Sequence, residues 1–398
     1  MKPISFIITN YNTKKYTKFV YNSIRKNLGY IHEIVMLDDG STDGTWELLE
    51  DLKSKDHNMI IHRNENNIGI AYSYNKMVEL SSNEIVCMLH SDMYVPPKFD
   101  EIMLKYMEDY DFITPLRVEP DVGYPPSIDK ELVDFGIKSE NFDEGAFLKW
   151  SEKNTESNRG RTEQRMFFPW MTTKTLYNKV GGNDLLFLKY MVDDDDFYLR
   201  IKMSGAKYCQ LFETAVYHMP SKSHKGGDDN KFQQSEFDNQ YLKSIRNFIR
   251  KWGVWPGKTW DNNRDMIIPK KYDIGLVAQN CDRIEVLHFL EPWCSTIYIS
   301  DLKVILNYSI SEQEQTKFDL SNRVKSMQTK EKNNDVIVEF DSTKLNNERA
   351  EFIQNLPYIL DQSGEPGTEM EYDIFRVIIK EKKNIVNDNI QKQENINV

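Results

Sequence analysis

Several things are scarce in this chain. Four cysteines in 398 residues, Cys87, Cys209, Cys281 and Cys294, stand apart with no metal-ligand spacing, which excludes a cysteine metal site and fits a reducing compartment. Positive charge is in deficit. Lys and Arg number 51 against 62 acidic residues, and the net charge of −11 argues against non-specific binding to nucleic acid or anionic membrane. No run approaches the roughly 18 apolar residues that a spanning helix needs. The apolar run at 4–8 is too short for a signal peptide and lacks a small-residue cleavage site, so a cytoplasmic protein without a transmembrane segment is expected. Internal repeats are absent as well.

What is present is organised around residues 34–45. Ile34, Val35, Met36 and Leu37 form an unalternating apolar run, the mark of a strand buried on both faces in a parallel sheet. It breaks at Asp38 and Asp39, at the carboxyl edge where open α/β sheets bind ligands. Asp43 and Gly44 read as turn and cap for the helix after Thr45. Further strands are expected at 4–9, 59–62, 84–89, 112–114 and 208–217, with regularity at 166–170. Helical stripes run to about Leu28 from the turn at 10–13, after Thr45 with Trp46, Leu49 and Leu52, after Gly69 with Ala71, Tyr74, Met77 and Val78, over 99–109, and from 193 onward. This alternation predicts an α/β fold with a mostly parallel sheet flanked by helices. Residues 115–164 show no period and read as long loops around a site.

The expected organisation is a catalytic domain over 1–227, a helical connection over 228–270, a smaller α/β domain of unknown role over 271–380, and a disordered tail over 381–398. In the smaller domain, strands are expected at 274–278, 295–306, 335–340 and 374–379, with helices at 313–327 and 346–360. No Gly-rich cofactor loop follows its first strand.

Three polar clusters fall at strand ends or helix starts. Asp38 and Asp39 are suited to a ligand's hydroxyl or base N–H groups. His90-Ser91-Asp92 follows the fourth strand, where Asp92 could hold a divalent cation or simply cap a turn. Asp193-Asp194-Asp195-Asp196 opens a helix. Such a run is either a solvated helix start with Asp196 paired to Arg200, or a source of a carboxylate whose raised pKa suits a general base. His218, after an apolar strand, could ligate a metal or be structural. His224, beside Lys222 and Lys225, is a weaker candidate for meeting phosphate.

The order of these motifs, with Asn10-Tyr11-Asn12, Asn66-Asn67-Ile68-Gly69, Asn75 and Val180-Gly181-Gly182, resembles the family 2 glycosyltransferases of the GT-A fold over about residues 4–227. The resemblance implies an inverting, metal-dependent transfer of a sugar from a UDP- or GDP-sugar to a hydroxyl of a glycan or other acceptor. Tyr11, Asp38, Asp39, Asn67, His90 and Ser91 would contact the donor. Asp92 and His218 would hold Mn²⁺ or Mg²⁺. Asp194 would be the base with Asp193 beside it, and Asp196 would support the helix start or border the acceptor. Trp150, Phe168 and Trp170 fit acceptor stacking and core packing equally. His90 departs from the family's first Asp, which keeps open a degenerate sugar- or nucleotide-binding protein. A nucleotidyltransferase is the other alternative, although Asn10-Tyr11-Asn12-Thr13 stands where its Gly-rich phosphate loop belongs. The partners implied are nucleotide-sugar and glycan, without nucleic acid, and a homo-oligomer is compatible.

Overall fold

The structure, a computed structural model, describes residues 2–122, 127–189, 191–220 and 234–386. His224 with its two lysines and the end of the expected tail lie outside them. Two compact units are present, one comprising Met1–Ser235 with Trp260–Met266, the other Glu236–Thr259 with Ile267–Val398. Among the described residues no helix is long and apolar enough to cross a membrane.

In the first unit, strands and helices alternate as β1 (Ile4–Asn10), α1 (Lys14–Asn27), β2 (Glu33–Asp38), α2 (Thr45–Lys55), β3 (Met59–Arg63), α3 (Ile70–Leu80) and β4 (Ile85–His90). The apolar runs of β1, β2 and β4 are buried on both faces. Helices carrying one apolar stripe cover them, such as Tyr16, Val20 and Ile24 on α1. Then come β5 (Met93–Tyr94), α4 (Phe99–Tyr106), β6 (Phe112–Glu119), β7 (Lys130–Leu132), α5 (Glu144–Ser157), β8 (Thr162–Glu163), β9 (Trp170–Thr173), α6 (Lys174–Lys179), α7 (Asp193–Met203) and β10 (Tyr208–His218). The sheet order is β3-β2-β1-β4-β9-β6-β10-β5. All neighbours up to β4 are parallel, β9 runs antiparallel between β4 and β6, and β6 is parallel to β10. The carboxyl ends of β1, β2, β4, β6 and β10 therefore share one edge, as the mostly parallel α/β expectation requires.

Two local expectations are corrected. The strand expected to stop at 114 continues to Glu119, because Pro115 sits where β10 shifts register between Leu211 and Ala215, so its missing N–H interrupts no regular ladder. The stretch 115–164 is not all loop, since it contains α5. That helix is capped by the Asp143 side chain and buries Phe147, Ser151 and Asn154. Two of those three are polar, with Asn154 donating to Phe212 O, and this hid the period.

The second unit opens with α8 (Gln234–Trp252). A sheet follows, built from β11 (Ile274–Gln279), β12 (Thr296–Ile299), β13 (Val324–Ser326), β14 (Val336–Asp341), β15 (Thr368–Tyr372) and β16 (Phe375–Ile379), in the order β13-β12-β11-β14-β16-β15. The first four are parallel, and β16 and β15 close the sheet antiparallel. The strand expected over 295–306 ends at Ile299. Asp301 accepts from Lys303 N and Val304 N and starts a helix, Leu302–Gln313. The helix expected over 313–327 is instead a short turn, Leu320–Arg323, followed by β13. That expected over 346–360 is two helices, Asn347–Gln354 and Leu356–Ser363, the second with Pro357 in its first turn. This unit's core holds a charge cluster. Glu291, fully buried, accepts from Arg250, Arg323 and Tyr308, and Arg250 also reaches Glu312 at 2.6 Å.

Candidate functional site

The shared carboxyl edge gathers three groups of side chains. At the end of β4 and β10, His90, Asp92 and His218 each offer one ligand atom within 4.8 Å of the others'. Backbone pairing sets this up, because β5 runs antiparallel to β10 and Met219 N donates to Asp92 O at 3.0 Å. Asp92 is fully buried, with Oδ1 3.5 Å from His218 Nε2. His218 Nδ1 donates to Glu119 Oε1 at 2.7 Å. Burial disfavours the Glu119 carboxylate, but the His218 hydrogen bond, Arg117 and Lys130 outweigh it and hold its pKa at about 2. Glu119 thus stays ionised and fixes which imidazole nitrogen faces Asp92. His90 stacks on Phe168, ring centroids 3.9 Å apart, and its Nε2 bonds the Tyr74 hydroxyl at 3.0 Å, so it would ligate through Nδ1. Two imidazoles and one carboxylate, with the His218 ring held from behind by Glu119, are a donor set that fits Mn²⁺ and its first-row neighbours better than all-oxygen Mg²⁺.

The second group opens α7. Val192, its N-cap, and Met191 before it both have positive φ, 57° and 79°. The turn delivers four carboxylates to the helix's positive end. Asp196 is fully buried and held by Arg200 through Nε (2.9 Å) and Nη2 (2.7 Å), while Arg200 also donates to Val180 O and Gly182 O. Asp196 is therefore a structural anchor between α7 and the glycine turn. Its role at the helix start stands, but as a border of the acceptor it is corrected. Asp193 is pushed up to about 7 by burial and then by Asp195 and Asp196. Asp194 is raised well above the ordinary carboxyl range by burial and by Asp193 and Asp195, with Arg117 opposing. Asp195 accepts from Trp260 Nε1. Tyr74 joins this group to the first: buried and bonded to His90, its hydroxyl is pushed up by burial and by Asp194, Asp193 and Asp92.

The third group lies at the end of β1 and β2. Asp39 accepts from Asn64 Nδ2 (2.7 Å), Ile68 N (3.0 Å) and Gly69 N (2.9 Å), so it shapes the 64–69 loop. A Cβ on Gly69 would fall 2.0 Å from Leu188 O. Asp38, fully buried, accepts from Ser41 N and lies 3.3 Å from Arg63 Nε. Tyr11 is half-buried beside them and Asn67 is exposed. Ser91 is buried between the two metal-type residues.

Residues 5–168 match the family model described as glycosyl transferase family 2. Over that segment, less than half of its length, the chain is similar to glycosyl transferase family 2. The chain is 28% identical over 108 residues to the glycosyltransferase GlyG of Streptococcus pneumoniae, covering 27% of this chain and 36% of that protein. It is 29% identical over 106 residues to the dolichol-phosphate mannosyltransferase of Pyrococcus furiosus, covering 26% and 29%. The match thus spans about a third of the length of these relatives. Among solved structures, GalNAc-T7 with UDP, GalNAc and Mn²⁺ aligns at 16% identity over 67% of this chain and 49% of that one, TM-score 0.45. Residues 1–349 of TarS from S. aureus align at 15% over 63% and 72%, TM-score 0.41.

Trp170 does not belong to the site. It is 1% exposed, packed among Phe112, Tyr177 and Phe197, and is corrected to a core residue. Trp150 packs in the aromatic cluster of Phe135 and Phe147. Sequence reading missed Glu119, Arg117, Tyr74, Tyr198 and Trp260. Glu119 had a signal in the alternating Leu116-Arg117-Val118-Glu119 beyond the proline, whereas Trp260 had none, being brought in by chain return.

Proposed function

We propose that this protein is an inverting, metal-dependent glycosyltransferase that moves a sugar from a UDP- or GDP-sugar to a hydroxyl of a glycan or related acceptor in the cytoplasm. The observation that carries the reading is the meeting, at one sheet edge of the first unit, of the His90, Asp92 and His218 set with Asp193 and Asp194, two carboxyls of raised pKa. In this reading the first unit is catalytic, and the second has no assigned chemistry.

A bound Mn²⁺ or Mg²⁺, held by Asp92 and His218 with His90 as a third donor, would supply positive charge to the leaving diphosphate. The chain's own residues do the rest. The Asp39-ordered loop, with Tyr11, Asp38 and Asn67 around it, forms the wall for the nucleoside. Asp194, whose proton affinity is raised by burial and by Asp193, takes the proton from the acceptor hydroxyl as that oxygen attacks the anomeric carbon. Glu119 holds His218 in its tautomer, and Arg117 moderates the charge on Asp194.

The test is release of nucleoside diphosphate from a panel of UDP- and GDP-sugars by the full chain, with and without Mn²⁺ and glycan acceptors. Product anomeric configuration is read by NMR. Donor- and metal-dependent release with inverted product supports the reading. No binding of either nucleoside diphosphate and no turnover with any donor would overturn it.

A further inference from the structure

Residues Trp260–Met266 lie far beyond the matched family segment yet belong to the first unit. They are fastened there. Asp265 accepts from Lys202 at 2.8 Å and Tyr208 at 2.6 Å, Met266 is 1% exposed, residues 260 and 266 pair across a bridge, and Arg264 lies 3.3 Å from Asp129. The fastening places the half-buried Trp260 indole against α7. Its Nε1 donates to Asp195, Arg264 covers one ring face at 5.4 Å, and Tyr198 meets its ring edge-on, centroids 6.1 Å apart.

Tyr198 supplies the second observation. It is 2% exposed, and its hydroxyl has no hydrogen-bond partner among the described residues. That hydroxyl lies among Asp193, Asp194, Asp195 and Tyr74, and burial together with those groups keeps its proton on. A buried O–H without a partner is costly, so such a group beside a candidate base marks a place for a ligand's oxygen.

We propose that Trp260 and Tyr198 form the acceptor subsite, in which an uncharged sugar ring packs against the half-buried indole while its attacking hydroxyl accepts from Tyr198 and donates to Asp194. This deepens the glycosyl-transfer reading and rests on it. The hydroxyl oxygen forms the bond to the anomeric carbon, its proton passes to Asp194, and the diphosphate oxygen leaves with the electron pair of the broken bond. A carboxylate-bearing sugar would bring a further negative charge beside Asp193, Asp194 and Asp195, and is disfavoured once Asp194 is ionised to act as base.

The test uses the full chain and its Trp260→Phe and Tyr198→Phe variants. Methyl glycosides of neutral hexoses and N-acetylhexosamines, and the methyl glycoside of a uronic acid, are titrated by intrinsic fluorescence. UDP and GDP binding with Mn²⁺ is measured by calorimetry. A neutral glycoside should give a saturating change that Trp260→Phe removes and Tyr198→Phe weakens about tenfold, with the uronate at least about tenfold weaker than its neutral counterpart. Tyr198→Phe should also melt at the same temperature as the parent or higher, since it deletes an oxygen that has no partner in the unliganded protein. The subsite is overturned if no neutral glycoside titrates the parent, if Trp260→Phe keeps the parent's titration, or if Tyr198→Phe lowers the melting temperature. Equal binding of the uronate overturns its charge selectivity. Loss of nucleoside diphosphate binding in the parent overturns the glycosyl-transfer reading instead, and that arm is read separately from the glycoside titration.

Discussion

His218 donates Nδ1–H to Glu119 across 2.7 Å from the neighbouring strand, which leaves Nε2 facing Asp92. Glu119→Gln replaces a charged acceptor with a neutral one that can also present an N–H to the imidazole. Apparent Mn²⁺ affinity should fall about 10–100-fold, while the amide oxygen can still accept from Lys130 or Arg117. Calorimetric titration of Mn²⁺ in the presence of UDP checks it, and unchanged affinity would remove Glu119 from the metal's support.

Asp194→Asn should lower kcat about 10²–10⁴-fold while nucleoside diphosphate binding persists, because the amide cannot take a proton. In the parent, kcat/KM should climb with pH as the coupled Asp193 and Asp194 pair ionises. Burial first and neighbouring carboxylates second place the Asp193 step at about 7. Initial rates from pH 5 to 9 decide this, and a flat profile would exclude a buried carboxyl base.

Asp39→Asn turns one or two of three accepted hydrogen bonds into a donor facing an N–H, at Gly69 alone or at Ile68 and Asn64 together. The cost should be about 1–3 kcal/mol in urea melts, with a rise in the donor's KM. A variant as stable as the parent would show that the 64–69 loop does not depend on this carboxylate.

Stability should respond to pH with two opposed limbs. Burial raises Asp193 to about 7 and Asp195 to about 6 from 3.8, so their contribution is complete below the ordinary value and is lost as pH rises through 6 to 7. Glu119, Glu291 and Glu312 are held at about 2 against the penalty of burial by their His and Arg partners, so their contribution is complete above 4.5 and is lost as pH falls toward 2. Melting temperature should peak at about pH 4.5 and fall toward pH 7, and Asp195→Asn should flatten the alkaline limb.

In the second unit, Glu291→Ala leaves Arg250 fully buried with one fewer counter-charge. The expected loss is about 3–5 kcal/mol, measured by denaturant unfolding.

Much of the first unit was legible because β1, β2 and β4 are unbroken apolar runs and the helices between them carry clear stripes. What escaped has identifiable causes. Pro115 looks like a stop and is absorbed at a register shift, so Glu119 was lost with the rest of β6. The α5 helix buries Ser151 and Asn154, which spoils its apolar period. Leu302 and its neighbours read as strand because a capping Asp301 is weaker to the eye than four aliphatic residues. At the site, Asp92, His218, Asp193 and Asp194 were singled out as carboxylates and imidazole at element ends. Trp170 was misjudged because an aromatic near an edge looks alike whether it stacks on substrate or on Phe197. His90 was read as a departure in a donor contact, and only the pairing of β4 with the strands beyond it brings the ring to Asp92 and His218.

Gly69 carries one more implication. Leu188 O occupies the space where any other residue would place its Cβ, and Ile70 N holds Lys189 O at 3.2 Å. The loop that Asp39 shapes and the approach to the base helix thus rest on each other like two stones of an arch, with glycine as the joint. Gly69→Ala would therefore act on the 64–69 loop and on the approach to α7 at once, so that neither segment can be rebuilt without the other.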